Sequence, residues 1–466
     1  MVPYDAVVVG LGAFGSAALY HLAKAGLKVL GIERHHPVGH ALGSSHGASR
    51  IIRLAYFEGL QYGPLLKRSY RLFQELEEEL AERRPAGHGG EPGPSGPLFL
   101  RTGMLDVGNV FEAAHKSAVA HGLQHEVLTG AELNRRFPAF RVPEHWRALY
   151  QPDGGVLTPE RIVQAHVALA QQLGAEVATG EAVTSWRAEG RSAGAPVTLT
   201  TAAAATTSAT VAASGGRVVS AGAVVLSPGP WIGQMVPELR ELCVPERQVV
   251  GWFEVEAPSR RHFAPDRMPV WVLEEEGPGG EAFYGFPEHG ELPGLKIGLY
   301  HHLREQIRNP ADLDAVRRTA DAADEAALRR GVSGYFPAAA SGRLLHASAC
   351  FFTNTPDGHF LIDRHPAHPQ VILCSACSGH GFKMSSGIGQ LIARMVCEGE
   401  GTTVTHALPA AGGMPTSARA PPRSGRAATA EDAVSGGADS GWEELVPFRF
   451  DAAGRPGHAE ALQRFG

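Results

Sequence analysis

The alternation of hydrophobic and polar positions at the start of the chain predicts a strand, a turn, a helix and a second strand. Residues 6–9 are all apolar, as in a buried strand, and the sequence G-L-G-A-F-G follows them. Residues 16–25 have the spacing of a helix, and residues 28–32 form a second, mostly apolar run that leads to Glu33. Short apolar runs on either side of a helix are typical of a βαβ unit.

Helices and short strands continue to about residue 400. Predicted helices cover residues 62–83, 158–173, 311–330 and 387–397, and predicted strands cover residues 175–178, 223–227, 248–255, 269–273, 282–285, 295–300 and 371–375. The strands between residues 248 and 300 are separated mainly by turns, which is typical of an antiparallel sheet. The pattern therefore predicts an α/β fold, in which a discontinuous Rossmann-type cofactor domain is interrupted by a substrate domain with an antiparallel or mixed sheet.

Three segments differ in composition from the rest of the chain. Residues 84–97 are rich in proline and glycine and predict a surface loop. Residues 187–216 are mostly small and predict a lengthened hairpin connection, and residues 402–466 predict a disordered tail. The expected division is a cofactor domain of residues 1–85, 150–240 and 335–401 and a substrate domain of residues 86–149 and 241–334.

Composition and charge exclude several classes of partner. The 466 residues are 44% hydrophobic and 19% charged, as in a soluble globular protein with room for two domains. The net charge of −6 and the lack of a basic stripe argue against nucleic-acid binding. The longest uncharged stretch, residues 192–216, is too weakly apolar to cross a membrane. We therefore expect a small-molecule partner, and neither nucleic acid nor membrane.

The five cysteines are too few and too late in the chain for a disulfide framework, which favours a reducing compartment. Cys374 and Cys377 form a C-x-x-C pair without a second ligand pair, so we expect core cysteines and no metal, with zinc or dithiol chemistry as the alternative. The N-terminus lacks a basic region, and the C-terminus lacks a peroxisomal signal of the S-K-L type. We expect a cytoplasmic protein, with a peroxisomal location as the alternative.

The glycine-rich turn after the first strand has the spacing of a dinucleotide site. Gly10, Gly12 and Gly15 form G-x-G-x-x-G, which permits a tight turn, close approach to a pyrophosphate and close packing of helix on strand. Glu33 ends the second strand, where an acid accepts a hydrogen bond from a ribose hydroxyl and disfavours NADP. The pattern does not separate FAD from NAD, and an ordinary α/β turn is the alternative.

Further motifs follow in a fixed order along the chain. They are G-S-S-H-G-A-S-R-I-I-R-L-A-Y (43–56), Q-P-D-G-G-V-L (151–157), R-Q-V-V-G-W-F-E (247–254), Y-G-F-P (284–287), A-C-F-F-T-N-T-P-D-G-H-F-L-I-D around Cys350, and S-G-H-G-F-K (378–383). Together they resemble the monomeric sarcosine oxidase family, which includes the sarcosine, N-methyltryptophan and pipecolate oxidases. The resemblance covers most of residues 1–401. It implies a monomer with a glutathione-reductase-type FAD domain, which oxidises a secondary amino acid with dioxygen as the acceptor.

The resemblance also implies roles for individual residues. Cys350 falls where the family attaches FAD through a thioether, Lys296 where a lysine promotes the reduction of dioxygen, and Arg53 and Lys383 where the substrate carboxylate binds. The residues implied for catalysis or the pocket wall are Lys296, His301, Arg50 and Tyr284. The residues implied to contact FAD are Gly10, Gly12, Gly15, Glu33, His46, Ser49, Arg50, Val183, Cys350, Gly379, Gly381 and Lys383.

The chain departs from the family at two places. One extra residue separates Lys296 from the following tyrosine, which predicts a bulge or a shifted lysine. Phe352 stands where the family often has tyrosine, so a pocket hydroxyl is lost and the substrate can differ from sarcosine.

The residue types agree with this chemistry. An arginine offers a planar fork to a carboxylate and a lysine adds a point charge, while a cationic pocket keeps the reacting amine neutral without a strong base. His301 can tune the pocket, or it is a structural histidine. Sarcosine, pipecolate, proline and larger N-methyl amino acids remain open as substrates. The alternatives are a dehydrogenase that uses an electron carrier, an NAD-dependent reductase and a non-catalytic flavin-binding protein.

Overall fold

The computed structural model describes residues 3–83, 96–190, 192, 194–204 and 216–398. Within these ranges the helices are Ala13–Lys24, Gly63–Glu82, Phe111–Ala120, Gly130–Arg136, Pro159–Gln172, Ile232–Met235, Ala322–Tyr335 and Ser385–Cys397. In this described part of the chain, every helix is too short or too polar to cross a membrane.

The first sheet is built around parallel strands. Its strands lie in the order Glu176–Thr179, Val29–Glu33, Tyr4–Val9, Val218–Leu226, His368–Ser375 and Leu361–His365, and the last of these is antiparallel to its neighbour. A hairpin of Glu181–Ala188 and Val197–Ala203 pairs with the first half of Val218–Leu226. The first strand is apolar at every position after Asp5 because both of its faces are covered.

Helices cover one face of this sheet. Ala13–Lys24 packs against both Pro159–Gln172 and Ser385–Cys397, so the first and last described helices share one layer. Ala6 and Val8 belong to the apolar cluster under these helices, whereas Val7 and Val9 belong to a separate cluster on the opposite face. Alternate residues of one strand therefore stabilise two cores.

The second sheet is mixed. Its strands lie in the order Glu305–Gln306, Val244–Phe253, Leu295–Leu299, Ala282–Phe286, Val270–Glu274, Met104–Gly108, Arg147–Gln151 and Glu126–Thr129, and Leu344–Asn354 also pairs with Val244–Phe253. The pairing of Met104–Gly108 with Val270–Glu274 is parallel, and the other pairings are antiparallel. A small third sheet contains Arg50–Ile52, Gly155–Leu157 and Phe99–Arg101.

The predicted α/β class is confirmed, and two predicted elements are wrong in detail. The helix expected over residues 311–330 is a 3₁₀ turn, Pro310–Ala315, followed by the helix Ala322–Tyr335. The break occurs because the Asp321 side chain accepts hydrogen bonds from the amides of Ala323 and Asp324, which starts a new helix.

Part of the low-complexity segment forms the strand Val197–Ala203. Its alternate residues Val197, Leu199 and Thr201 are buried, which is the pattern of a strand with one covered face. Residues 84–95 of the predicted loop, residues 205–215 of the predicted hairpin connection and the predicted tail 402–466 lie outside the described residues.

The expected domain division stays a prediction. Strand pairing differs from it at one place, because Leu344–Asn354 lies in the second sheet although the boundary at residue 335 assigns it to the cofactor domain. This strand joins the two sheets along the chain, since it is followed by Leu361–His365 in the first sheet.

Candidate active site

A single cavity of about 1050 Å³ connects the glycine-rich turn of the first sheet to the strands of the second. Its volume lies at the upper end of the usual range for cofactor and small-molecule sites, about 300–1,000 Å³. Most of the predicted site residues line it: Gly10, Gly12, Glu33, His46, Arg50, Arg53, Val183, Tyr284, Lys296, Cys350, Gly379, Gly381 and Lys383. Gly15, Ser49 and His301 are not among the lining residues.

The glycine-rich turn has the close packing that the fingerprint predicts. Gly10 has a φ of 84°, and a Cβ there would lie 2.5 Å from the Ser227 carbonyl oxygen. A Cβ on Gly15 would lie 1.8 Å from the Gly10 carbonyl oxygen, so this glycine is required for packing inside the turn. Backbone at Gly10 and Gly12 therefore faces the cavity directly, at the start of the helix Ala13–Lys24.

Glu33 places a carboxylate at the same end of the cavity. Its two oxygens accept hydrogen bonds from the amides of Leu11 (2.8 Å) and His35 (3.0 Å). Burial raises the pKa of Glu33, but hydrogen bonds from His40 and these amides outweigh it and leave the pKa lowered. An ionised acid at this position fits a ribose hydroxyl and would repel a phosphate.

The middle of the cavity contains polar groups that lack a protein partner. The side-chain oxygen of Ser44 and the Nε2 atom of His46 are buried without a hydrogen bond. Burial lowers the pKa of His46 to about 3, and the positive charges of Arg50 and Lys296 act in the same direction, so its imidazole is neutral. Unpaired buried donors and acceptors are costly, which suits a polar ring system bound beside them.

Arg50 and Lys296 lie beside this region. The Arg50 guanidinium donates to the carbonyl oxygens of Ser49 (2.9 Å) and Ser44 (2.8 Å). The Lys296 Nζ atom donates to the Gly47 carbonyl oxygen (2.5 Å), the Ser49 carbonyl oxygen (3.1 Å) and the Ser49 Oγ atom (2.8 Å). Ser49 therefore holds the lysine without itself lining the cavity.

Cys350 lies in the strand Leu344–Asn354 and is a free, buried thiol that faces the cavity. Burial raises its pKa, while Arg50, Lys296 and Arg318 act to lower it. Cys377 lines the same cavity. Among the described residues, no group of three or more His, Cys, Asp or Glu side chains is placed to hold a metal ion.

Arg53 and Lys383 meet around Tyr56, although the sequence separates them by most of its length. The Tyr56 ring centroid lies 4.4 Å from the Arg53 guanidinium carbon and 5.1 Å from the Lys383 Nζ atom. Both cations are almost fully buried. Burial and the charge of Arg53 lower the pKa of Lys383 to about 7.

Glu58 is a site residue that the sequence interpretation missed. Its two carboxylate oxygens each lie 2.7 Å from the Arg53 Nη2 atom. Burial raises the pKa of Glu58, but Arg53, His380 and Lys383 together outweigh burial and leave the pKa lowered. Sequence offered one signal: an acid directly after the apolar run A-Y-F, at the end of a motif that contains Arg53.

The extra residue after Lys296 does not produce the expected bulge. The strand Leu295–Leu299 keeps regular pairing with both of its neighbours, and Lys296 faces the cavity in register. The strand ends at Leu299, and Tyr300, the first residue of the turn that follows, lines the cavity. His301 is 38% exposed, and its Nδ1 atom lies 2.9 Å from Glu246 Oε1. His301 is therefore not among the lining residues, although its ring centroid lies 6.3 Å from that of Phe352, and its expected role stays a prediction.

Comparison with known proteins shows the family of this chain. The family model described as FAD dependent oxidoreductase (DAO) matches residues 5–395. Monomeric sarcosine oxidase of Streptomyces avermitilis is 36% identical over 402 residues, which cover 85% of this chain and 94% of that protein. N-methyl-L-tryptophan oxidase of Citrobacter koseri is 31% identical over 397 residues, covering 84% and 94%.

Solved structures show the same fold. The open form of NikD, described as an unusual amino acid oxidase, superposes with a TM-score of 0.66 at 22% identity and covers 86% of this chain and 96% of its own. Glycine oxidase of Geobacillus kaustophilus gives a TM-score of 0.64 at 18% identity, with 87% and 97% covered. The resemblance found from the motifs is confirmed, and the chain belongs to the FAD dependent oxidoreductase (DAO) family as an FAD-dependent amine oxidoreductase.

Proposed function

We propose that this protein oxidises secondary amino acids, N-methylated or cyclic, with dioxygen as the electron acceptor. The products are hydrogen peroxide and an imine, which hydrolyses to an aldehyde and an amine, or to a ring-opened product when the substrate is cyclic. The observation that carries this proposal is the meeting of Arg53 and Lys383 around Tyr56, in the same cavity as the dinucleotide turn.

These two cations favour a substrate with a carboxylate. The Arg53 Nη2 atom donates to Glu58, but the Nε atom of Arg53 is buried and has no hydrogen-bond partner among the residues that the structure describes. Glu58 offsets the charge of Arg53, and a second buried acid, Asp106, lies 3.8 Å from the Arg53 Nη1 atom. Burial raises the pKa of Asp106 to about 7, so while Asp106 is protonated and Lys383 is an ammonium, this end of the cavity is net positive. A buried positive charge needs a counter-ion, and a substrate carboxylate provides one.

The same charge helps the reacting nitrogen. An amine bound near cations has a lowered pKa, so it loses its proton more easily and presents its lone pair. Bound FAD would supply the oxidising chemistry, because it accepts a hydride equivalent from the carbon–hydrogen bond next to the nitrogen, which leaves a carbon–nitrogen double bond in the imine. The protein orients the substrate by its carboxylate, and Tyr284 and Phe352 form an apolar wall of the cavity.

We infer that Lys296 promotes the reaction with dioxygen. Three oxygen atoms accept hydrogen bonds from its Nζ atom, which is the number that an ammonium can serve. A fixed ammonium in a dry cavity stabilises the negative charge that develops on dioxygen. One observation favours a dehydrogenase instead: burial and Arg50 lower the pKa of Lys296 well below its usual value, which favours the uncharged amine.

We also infer that FAD is attached through a thioether to Cys350. Support comes from the position of this free thiol on the wall of the cavity that the glycine-rich turn also lines, and from the cations that act on it. Residues suited to hold the cofactor are Gly10, Gly12, Gly15, Glu33, His46, Ser49, Arg50, Val183, Gly379 and Gly381. We expect the protein to act as a monomer.

An anaerobic screen tests the proposed function. Purified yellow protein is mixed with sarcosine, pipecolate, proline and N-methyl-L-tryptophan, and bleaching of the flavin absorbance is followed. We expect at least one of these to bleach the flavin and primary amines to do so less. Rapid mixing of the bleached protein with aerated buffer then distinguishes an oxidase, which uses dioxygen, from a dehydrogenase, which uses an electron carrier, because slow return of the colour would favour the dehydrogenase. If no secondary amino acid bleaches the flavin, both the oxidase and the dehydrogenase are rejected.

Carboxylate binding is expected to weaken as the pH rises through about 7. Lys383 has a pKa of about 7 in the free site, so it is an ammonium below that pH and a neutral amine above it. The affinity for acetate, measured from the change in flavin absorbance, should fall by up to about tenfold per pH unit above 7. In the Lys383→Met protein binding should be weak throughout and this dependence smaller, since only Asp106, with a pKa of about 7, then titrates beside Arg53. An equal pH dependence in both proteins would contradict the assignment.

A further inference from the structure

We propose that Tyr300 is a substrate-binding residue that sets the specificity of this site, in the role that the sequence suggested for His301. The proposal rests on the proposed function and deepens it, since it identifies a third contact to the substrate carboxylate. Tyr300 is one of the residues that line the cavity, and His301 is not among them.

The backbone fixes this arrangement. The amide of Tyr300 donates to the Ala282 carbonyl oxygen at 2.8 Å, directly after the strand Leu295–Leu299. The turn that follows has positive φ angles at His301 (56°), His302 (20°) and Arg304 (56°), which is uncommon for residues other than glycine. Such a turn persists when other contacts hold it in place.

Asp324 provides those contacts. Its Oδ1 atom lies 2.9 Å from His302 Nε2, and its two oxygens accept hydrogen bonds from Arg247 at 2.8 Å each. Arg247 belongs to the strand Val244–Phe253, so the turn is tied to the second sheet through a buried ion pair. The position of Tyr300 is therefore part of the folded framework.

The side chain of Tyr300 completes an aromatic wall. Its ring centroid lies 5.8 Å from that of Tyr284 and 5.5 Å from that of Phe352. These distances are within the range for interacting aromatic rings, about 4.5–7 Å. Three rings side by side present an apolar surface to the alkyl part of a substrate.

The hydroxyl of Tyr300 is available to a ligand. Tyr300 is half-buried and lines the cavity, and throughout the described ranges its hydroxyl makes no hydrogen bond. Burial and the nearby Glu58 raise its pKa, so it stays protonated and acts as a donor. Arg53 is also one of its charged neighbours, which places Tyr300 at the carboxylate end. Phe352, on the same wall, carries no hydroxyl.

The ligand class follows from these two features. A donor beside Arg53 recognises a carboxylate, and the aromatic wall packs against an apolar side chain or ring attached to the same carbon. The geometry therefore points to secondary amino acids with an apolar substituent, held by Arg53, Lys383 and Tyr300 together.

The test compares four variants of the flavin-containing protein: Tyr300→Phe, Tyr300→His, His301→Gln and Tyr335→Phe. Tyr335 is the matched control, because its hydroxyl donates to Glu275 at 2.7 Å and it does not line the cavity. The measurements are the Kd for acetate from flavin absorbance, and KM and kcat for the best secondary amino acid.

We expect Tyr300→Phe to weaken acetate binding and raise KM by about tenfold, the usual loss for one hydrogen bond to a charged acceptor, with a smaller change in kcat. Tyr300→His, which restores a donor, should recover part of the acetate affinity. His301→Gln and Tyr335→Phe should bind acetate as the unaltered protein does.

Unchanged acetate affinity in Tyr300→Phe, or a loss that appears in His301→Gln instead, would overturn the assignment. The proposed function and the proposed role of Tyr300 would be rejected by different results. If no secondary amino acid bleaches the unaltered protein, the proposed function is rejected, while the acetate titration still reports on Tyr300.

Discussion

The Cys350→Ala protein should release all of its FAD when it is precipitated with acid, whereas the unaltered protein should keep the yellow colour in the pellet. We propose that the thiol of Cys350 forms the bond to the cofactor, and denaturation breaks every other contact. The flavin absorbance of the redissolved pellet and of the supernatant measures how much FAD stays with the polypeptide and how much is released. The mass of the denatured polypeptide gives a second reading, because attachment adds one FAD to each chain.

Cys377→Ala is the matched control for this experiment. Cys374 and Cys377 are further thiols that line the same cavity, and Cys377, the less buried of the two, is the competing site tested here. Burial leaves the pKa of both Cys350 and Cys377 raised, but Arg50, Lys296 and Arg318 oppose that rise at Cys350, and a thiolate is the reactive form of cysteine. We therefore expect Cys377→Ala to retain its FAD. A colourless pellet from the unaltered protein, or loss of attachment in Cys377→Ala with retention in Cys350→Ala, would contradict the assignment.

The Lys296→Met protein should react with dioxygen about 10²–10³-fold more slowly after reduction, the usual loss when one electrostatic contact to a developing charge is removed. Reduction by the amino acid should change much less, because Lys296 hydrogen-bonds to Gly47 and Ser49 and lies apart from the Arg53, Tyr56 and Lys383 group. Anaerobic reduction followed by rapid mixing with aerated buffer measures the two steps separately.

Lys24→Met is a suitable control, since Lys24 pairs with Glu79 at 3.2 Å and does not line the cavity. It should react with dioxygen at the unaltered rate. If Lys296→Met also does so, then Lys296 has no part in that step. Equal slowing of both steps would instead indicate that Lys296 mainly preserves the shape of the cavity, through its contacts to the backbone around Ser49.

Local sequence was sufficient to predict the parts of the site that depend on short-range geometry. Gly10 and Gly15 are needed because a side chain would strike backbone atoms, and that requirement leaves a visible spacing in the sequence. The long apolar strands of the first sheet were also predicted, since both of their faces are buried. Their assembly into one sheet follows from general rules for parallel strands.

Features that depend on distant contacts were harder to predict. The neighbourhood of Arg53 and Lys383 came from family resemblance, because no local pattern joins two cations so far apart in the sequence. Glu58 was missed because its role depends on burial beside Arg53. The place of Tyr300 on the cavity wall depends on the path of the turn after Leu299, which a linear count of positions does not show, and the strand before it pairs regularly where a bulge was expected.

Several strands of the second sheet were missed for a related reason. Met104–Gly108 and Arg147–Gln151 are short, and they include polar residues such as Asp106 and Gln151 that are buried. Asp106 accepts a hydrogen bond from Gln151 at 2.7 Å, so each compensates the burial of the other. An apolar pattern does not reveal a strand whose buried polar residues find partners across the sheet.

The shared layer of the first and last described helices has a consequence for the newly made chain. Ala13–Lys24 leaves the ribosome early, but Ser385–Cys397 and the strand His368–Ser375 arrive near the end of the described residues. At about 5–20 residues per second, the apolar surface of the first helix waits on the order of tens of seconds for its cover. We expect a chaperone to bind the nascent chain during this interval, and FAD to be taken up only after synthesis has passed the last helix.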